Sequence, residues 1–136
     1  FIKCMLRYPE SDGDGRVRMR RSCVLTDAMT FTEAEAVVMN SDGALDAEVL
    51  SMSRMAVEEA LGTEDGCGRW FSMRVAFTFI DDTGKEVRPM RNTFLVYASD
   101  IDAARTAFME RARDFVTPYE VVAISDSRID SVICHG

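Results

Sequence analysis

Fourteen of the sixteen basic residues are arginines, whose planar guanidinium forks grip phosphate or carboxylate through paired hydrogen bonds. Arg16, Arg18 and Arg20 recur at every second residue, the spacing that places side chains on one face of a β-strand. Arg88 repeats Arg18 at an offset of 70 (88 − 18). Such a stripe would hold a phosphate-bearing ligand. It would equally serve as a solvated sheet face or as a charged edge that discourages strand pairing. Arg21 and Arg91 form a second matched pair, and Arg21 falls in register with Val17, Met19, Cys23 and Leu25. That register points Arg21 toward the core, where a cation needs a partner. Either a bulge turns it outward, or the two equivalent arginines reach carboxylates or a ligand near a symmetry axis. Arg18, Arg20, Arg21, Arg88 and Arg91 are therefore the candidate ligand-binding residues.

Other chemistry finds less support. His135 is the one histidine and lies beside Cys134 at the end of the sequence, whereas zinc needs about four converging ligands and a nucleophilic triad usually needs a histidine base. Asp12-Gly13-Asp14-Gly15 opens like a calcium loop but lacks the later ligands and the closing Glu; it reads as a hairpin turn. No GxSxG, P-loop or GxGxxG motif appears. With 23 acidic residues, any proposed catalytic carboxylate pair would be arbitrary. No catalytic residue, metal ligand or cofactor is assigned.

The elements that must carry the arginines are written twice. Ile2, Cys4, Leu6 and Tyr8 match Phe71, Met73, Val75 and Phe77 at an offset of 69 (71 − 2). Val17, Arg18, Arg21, Leu25 and Ala28 match Val87, Arg88, Arg91, Leu95 and Ala98 at 70 (87 − 17), and Glu48 to Ser53 meets Glu120 to Ser125 at 72 (120 − 48). The offset grows only where turns are expected, as it does when a copied unit diverges.

Phe71 to Phe79 alternates apolar with small or polar residues, which predicts a strand with one buried face. Ile2 to Tyr8 is its counterpart. Each is followed by a turn rich in Asp and Gly and a second strand, Val17 to Asp27 or Val87 to Ala98, so each half opens with a β-hairpin. Thr30 should cap a helix from about Phe31 to Asn40, with Glu33 reaching back to the Thr30 amide and Met29 stapled onto Ala34. That helix should end in the turn Asn40-Ser41-Asp42-Gly43. Ser99 or Asp100 should cap a longer helix to about Phe115, burying Ile101, Ala104, Ala107, Phe108 and Ala112. Third strands are expected over Glu48 to Ala56 and Tyr119 to Asp126. Arg128 to Cys134 adds a short strand, and Ala56 to Leu61 is either strand or helix.

The expected architecture is α+β: an internally duplicated ββαβ unit, mainly antiparallel sheet with two helices and a pseudo-two-fold relation. At 136 residues and 47% hydrophobic, the chain fits one domain, with repeats at about 1–61 and 69–134 sharing a core. Gly62 to Gly68 joins them.

Net charge is −7, which argues against a nucleic-acid partner. Residues 1–27 and 69–97 nevertheless carry 11 cations against 7 anions, leaving 5 against 16 in the rest. No apolar run approaches the roughly 18 residues that span a bilayer, and no secretion signal is seen. We expect a soluble, cytoplasmic protein with reduced Cys4, Cys23, Cys67 and Cys134. Opening at Phe1, inside a strand pattern, the sequence leads us to expect native residues before it.

Val24-Leu25-Thr26-Asp27-Ala28-Met29-Thr30-Phe31-Thr32-Glu33-Ala34-Glu35-Ala36 resembles the most recognisable segment of domain of unknown function 4494, a family of Bacteroidetes and viruses. The similarity runs through Arg69-Trp70-Phe71 and Leu95 to Asp100 to Tyr119-Glu120-Val121, nearly the whole chain. It implies a small soluble protein shared by bacteria and phages, with no catalytic motif to carry over. Met5 and Met73 stand where relatives are expected to have basic and small residues.

These readings converge on a non-enzymatic binding or accessory protein, associated with a phage or mobile element, that engages a partner protein or small anionic ligand through its duplicated hairpins. A homo-oligomer is compatible with this. One alternative is an enzyme acting on a nucleotide or other phosphorylated metabolite. The other is a nucleic-acid-binding protein, whose affinity would fall steeply with salt.

Overall fold

The computed structural model describes residues 1–40 and 47–134. The expected turn at Ser41, Asp42 and Gly43 lies outside the described residues, as does His135. The chain divides into two compact units, Phe1–Met55 with Ile129–Gly136, and Ala56–Arg128. The described residues form two helices and eight strands in two sheets in which antiparallel pairing predominates, an α+β protein.

In the first unit, β1 (Ile2–Ser11) and β2 (Val17–Thr26) form the opening hairpin, in register from Ile2 against Thr26 to Ser11 against Val17. Helix α1 (Phe31–Met39) follows, then β3 (Glu48–Arg54), antiparallel to β1. Alternation along β1 sends Ile2, Cys4 and Leu6 to one face, where they bury against Val24, Ala28, Ala34 and Val38. Thr30 caps α1 as expected, its hydroxyl accepting the Glu33 N–H at 3.1 Å. The Glu33 carboxylate, however, accepts the N–H of Met29 rather than that of Thr30, at 3.0 Å. Met29 is exposed and makes no staple on the buried Ala34.

The second unit has the same sequence of elements. Strands β5 (Arg69–Phe77) and β6 (Met90–Ala98) form its hairpin, α2 (Ile101–Ala112) follows, and β7 (Tyr119–Asp126) pairs antiparallel with β5. Strand β6 starts at Met90 rather than at the expected Val87: the regular ladder breaks off at Phe77 against Met90 and resumes one residue out of register at Ile80 against Glu86. Asp100 caps α2 by accepting the Ala103 N–H at 2.7 Å. The helix stops at Ala112, short of Phe115, and buries Ala104, Phe108 and Ala112, one side chain per turn. Ile101 and Ala107 face outward instead. Phe115 still reaches the core, its ring 6.0 Å from that of Phe108.

Both sheets carry the same irregularity and the same fourth strand. Pairing shifts between Met5 and Leu6 in one and between Arg74 and Val75 in the other, which leaves Leu50 and Val122 as the extra residues of bulges. Strand β8 (Ser131–Ile133) lies parallel to β2 at Val24–Thr26, and β4 (Glu59–Leu61) lies parallel to β6 at Phe94–Val96. The sheet orders are β3-β1-β2-β8 and β4-β6-β5-β7, which match strand for strand when one is read backwards. No helix among the described residues is long and apolar enough to cross a membrane.

Candidate functional site

Arg18 and Arg20 sit where the first hairpin outruns its third strand, and Arg21 and Arg91 just within the reach of theirs. Strand β3 pairs with β1 only as far as Arg7 against Glu48, while the hairpin continues to Ser11 against Val17. Strand β2 is buried only from Cys23 to Thr26, and every residue from Val17 to Arg21 is exposed. Val17 and Met19 are 65% and 56% exposed although apolar. The second hairpin repeats this, with Phe79, Ile80, Val87 and Met90 all exposed. We refer to these projecting parts as the arms.

Each arm ends in a turn clasped by one aspartate. The Asp12 carboxylate accepts the N–H groups of Asp14 and Arg16, both at 2.9 Å. That of Asp81 accepts the N–H groups of Thr83 and Lys85 at 2.9 and 3.0 Å. Gly15 and Gly84 follow with φ of 79° and 81°, a left-handed conformation that suits glycine. A further bond from the Thr83 hydroxyl, together with these N–H groups, holds the Asp81 carboxyl below its ordinary value.

The five candidate arginines divide by partner. The Arg20 guanidinium meets Glu10 at 2.7 Å, its diagonal neighbour across the strand pair, and Arg18 reaches Asp12 at 3.9 Å. Arg21, Arg88 and Arg91 have no ion pair among the described residues. Arg21 does lie on the face of Cys23 and Leu25, but it is exposed rather than directed into the core. No bulge interrupts β2 there. The buried cluster takes Val24 from the opposite face of β2, together with Ile2, Cys4 and Leu6, and Arg91 is exposed likewise.

Register adds a residue that the repeat passes over. Directly across from Arg21 stands Arg7, and like charges so placed repel. Arg7 turns to Glu48 on its other side, bonding at 2.5 Å, while its buried Nε finds no acceptor. Two guanidinium groups thus share one face, with a single carboxylate on the far side of Arg7. The offset of 69 takes Arg7 to Ala76, which faces Arg91 in the second hairpin, so comparison of the repeats could not reveal it. The strand register could.

Elsewhere the surface has shallow grooves. One of about 410 Å³ lies among Arg69, Phe71, Asp100, Ile101, Asp102 and Asp126. Its charges are engaged: Arg69 pairs with Asp126 at 3.2 Å and Asp100 caps α2. The Arg128 N–H, with Arg69, keeps the Asp126 carboxyl below its ordinary value. Another, of about 460 Å³, runs between Asp27, Ala28, Met29 and the Glu33, Ala36 and Val37 side of α1. Neither is lined by an arm arginine.

Burial pushes the Cys4 and Cys23 thiols up, Cys4 further by the charge of Cys23, and Cys23 further by Asp130 against the opposing pull of Lys3. Such thiols are poor nucleophiles. A family model described as domain of unknown function (DUF4494) matches residues 1–135. No curated protein and no solved structure matches.

Proposed function

This chain belongs to the family described as domain of unknown function (DUF4494), and we propose that it is a non-enzymatic binding or accessory protein whose two Arg-bearing arms take hold of a partner protein or small anionic ligand. The observation that carries this reading is the Arg7–Arg21 pair, two cations side by side whose one carboxylate, Glu48, lies on the far side of Arg7. An incoming anionic group would relieve that repulsion. The exposed Val17, Met19, Val87 and Met90 beside the arginines give the arms the mixture of Arg, Met and aliphatic surface common at protein interfaces.

We further take the two units to descend from one ancestral ββαβ unit. The matched sheet orders, bulges and aspartate-clasped turns support that descent. A cytoplasmic setting is supported by the free thiols of Cys4, Cys23 and Cys67. Service to a phage or mobile element is part of the same proposal.

The test is native mass spectrometry of the protein purified from its own host, beside a variant in which Arg18, Arg20, Arg21, Arg88 and Arg91 are each changed to Glu. A species retained by the wild type and lost by the folded variant supports the proposal. Equal retention by both, or none by either, contradicts it.

A further inference from the structure

The fourth strand of the first sheet is too short to cover its neighbour. Strand β8 pairs with Val24, Leu25 and Thr26 only, and Asp130 extends that cover to Cys23. Below this point no strand among the described residues lies along the outer side of β2. The Cys23 N–H and C=O both point to that side, since Asp130 takes both. Main-chain groups of a strand alternate between its two sides. Those of Arg21, Met19 and Val17 therefore face the same edge, with no ladder partner among the described residues.

We propose that the outer edge of β2 from Val17 to Ser22 is a strand-addition site for an extended, acidic segment of a partner protein; this rests on the function proposed above and names its mode. An exposed edge is a template for a further strand, whose main-chain bonds supply affinity and whose alternate side chains supply specificity. On the face that Arg21 shares with Met19 and Val17, the edge offers one cation and two exposed apolar side chains. A segment with a carboxylate beside Arg21 and aliphatic residues beside Met19 and Val17 complements it. The molecule already uses this chemistry one step along, where the Asp130 carboxylate accepts a main-chain N–H of the same edge at 2.7 Å.

The other edges fit less well. In the second hairpin, Pro89 removes a donor and β6 begins only at Met90, so Arg91 alone offers the outward pair. Strand β7 carries Glu120 and Asp126, which repel an acidic segment. On β3, Arg54 is engaged over the Phe31 ring and with the Met29 carbonyl.

The probe is a fluorescent, end-capped peptide about ten residues long, with Thr at every second position and Glu, Val and Val in turn at the central positions between, so that one face sets Glu beside Arg21 and Val beside Met19 and Val17; it is titrated by anisotropy into the whole chain. A twin carries N-methyl groups along its central residues, which keeps its charge but removes its ladder donors. The expected result is saturable binding, weakened about tenfold or more by N-methylation and by Arg21→Glu. Hydrogen exchange should slow at the Val17, Met19 and Arg21 amides. Absence of saturable binding up to about 1 mM, where affinity has fallen to about −4 kcal/mol, overturns strand addition. So does equal binding of the methylated twin with no slowed amide, but if Arg21→Glu still abolishes binding, the Arg-mediated function stands. Binding indifferent to Arg21→Glu counts against both. The methylated twin needs no protein variant, so misfolding of a variant leaves the test intact.

Discussion

Asp130 closes both main-chain groups of Cys23: its carboxylate accepts the Cys23 N–H at 2.7 Å and its own N–H donates to the Cys23 carbonyl at 2.8 Å. One residue thereby starts the fourth strand of the first sheet. Glu58 does half of this in the second sheet, donating to the Thr93 carbonyl at 2.8 Å.

Asp130→Ala should therefore loosen β8. A bond to a charged acceptor contributes about 1.5 to 3 kcal/mol, and partial exposure brings the expected loss toward about 1 kcal/mol. Urea denaturation measures it. Hydrogen exchange should quicken at Cys23 and at Asp27, whose N–H donates to Ile133 at 3.4 Å. Unchanged exchange at both would show that β8 is held by its apolar contacts alone.

The arm turns give a paired test. Gly15→Ala and Gly84→Ala each force a side chain into a left-handed conformation, at a cost of about 1 kcal/mol or somewhat more, and neither added methyl meets another atom. The two losses should be equal within error. Asp81 adds a pH dependence: its carboxyl is lowered in the folded state, so its contribution is complete above about pH 3.9 and is lost as pH falls through the lowered value. The stability difference between wild type and Asp81→Ala should be flat near neutrality and shrink in acid. A difference that grows in acid would contradict the assigned bonds.

Thiol labelling separates the cysteines. Cys67 and Cys134 are exposed and Cys4 and Cys23 buried with raised pKa values. Iodoacetamide near neutral pH should modify Cys67 rapidly and Cys4 and Cys23 only after unfolding. Fast labelling of Cys23 in the native protein would mean that its strand opens readily.

In the second core, Phe108 lies 5.2 Å from the Phe94 ring and 5.8 Å from that of Tyr119 and is fully buried. Phe108→Ala should cost about 3 to 5 kcal/mol, read as a lowered denaturation midpoint. A loss under about 1 kcal/mol would show that the aromatic cluster collapses around the gap.

Much of this was legible in the sequence because hairpins, caps and alternation are local. Ile2, Cys4 and Leu6 announce a buried strand face, and Thr30 and Asp100 mark helix starts. What was hidden depends on where one element ends relative to another. Alternation placed Arg21 on the face of Cys23 correctly, but the cluster of Ile2, Cys4, Leu6 and Val24 lies on the opposite face, which the pairing of Cys4 with Val24 decides. The Arg7–Arg21 pairing needed the register across the hairpin. Short strands were expected near β4 and β8, but three residues carry no signal of the parallel partner each takes, although Glu58 and Asp130 continue the offset of 72 (130 − 58).

Photo-cross-linking from the arm is the most direct test that the arms make the contact. A photoreactive phenylalanine derivative would replace Met19 in one variant and Leu50, on the β3 edge, in another, each expressed in the native host. The account predicts a discrete cross-linked species from position 19 that disappears when Arg21→Glu is added, and none from position 50. Cross-links from position 50 alone, or from position 19 regardless of Arg21, would contradict it.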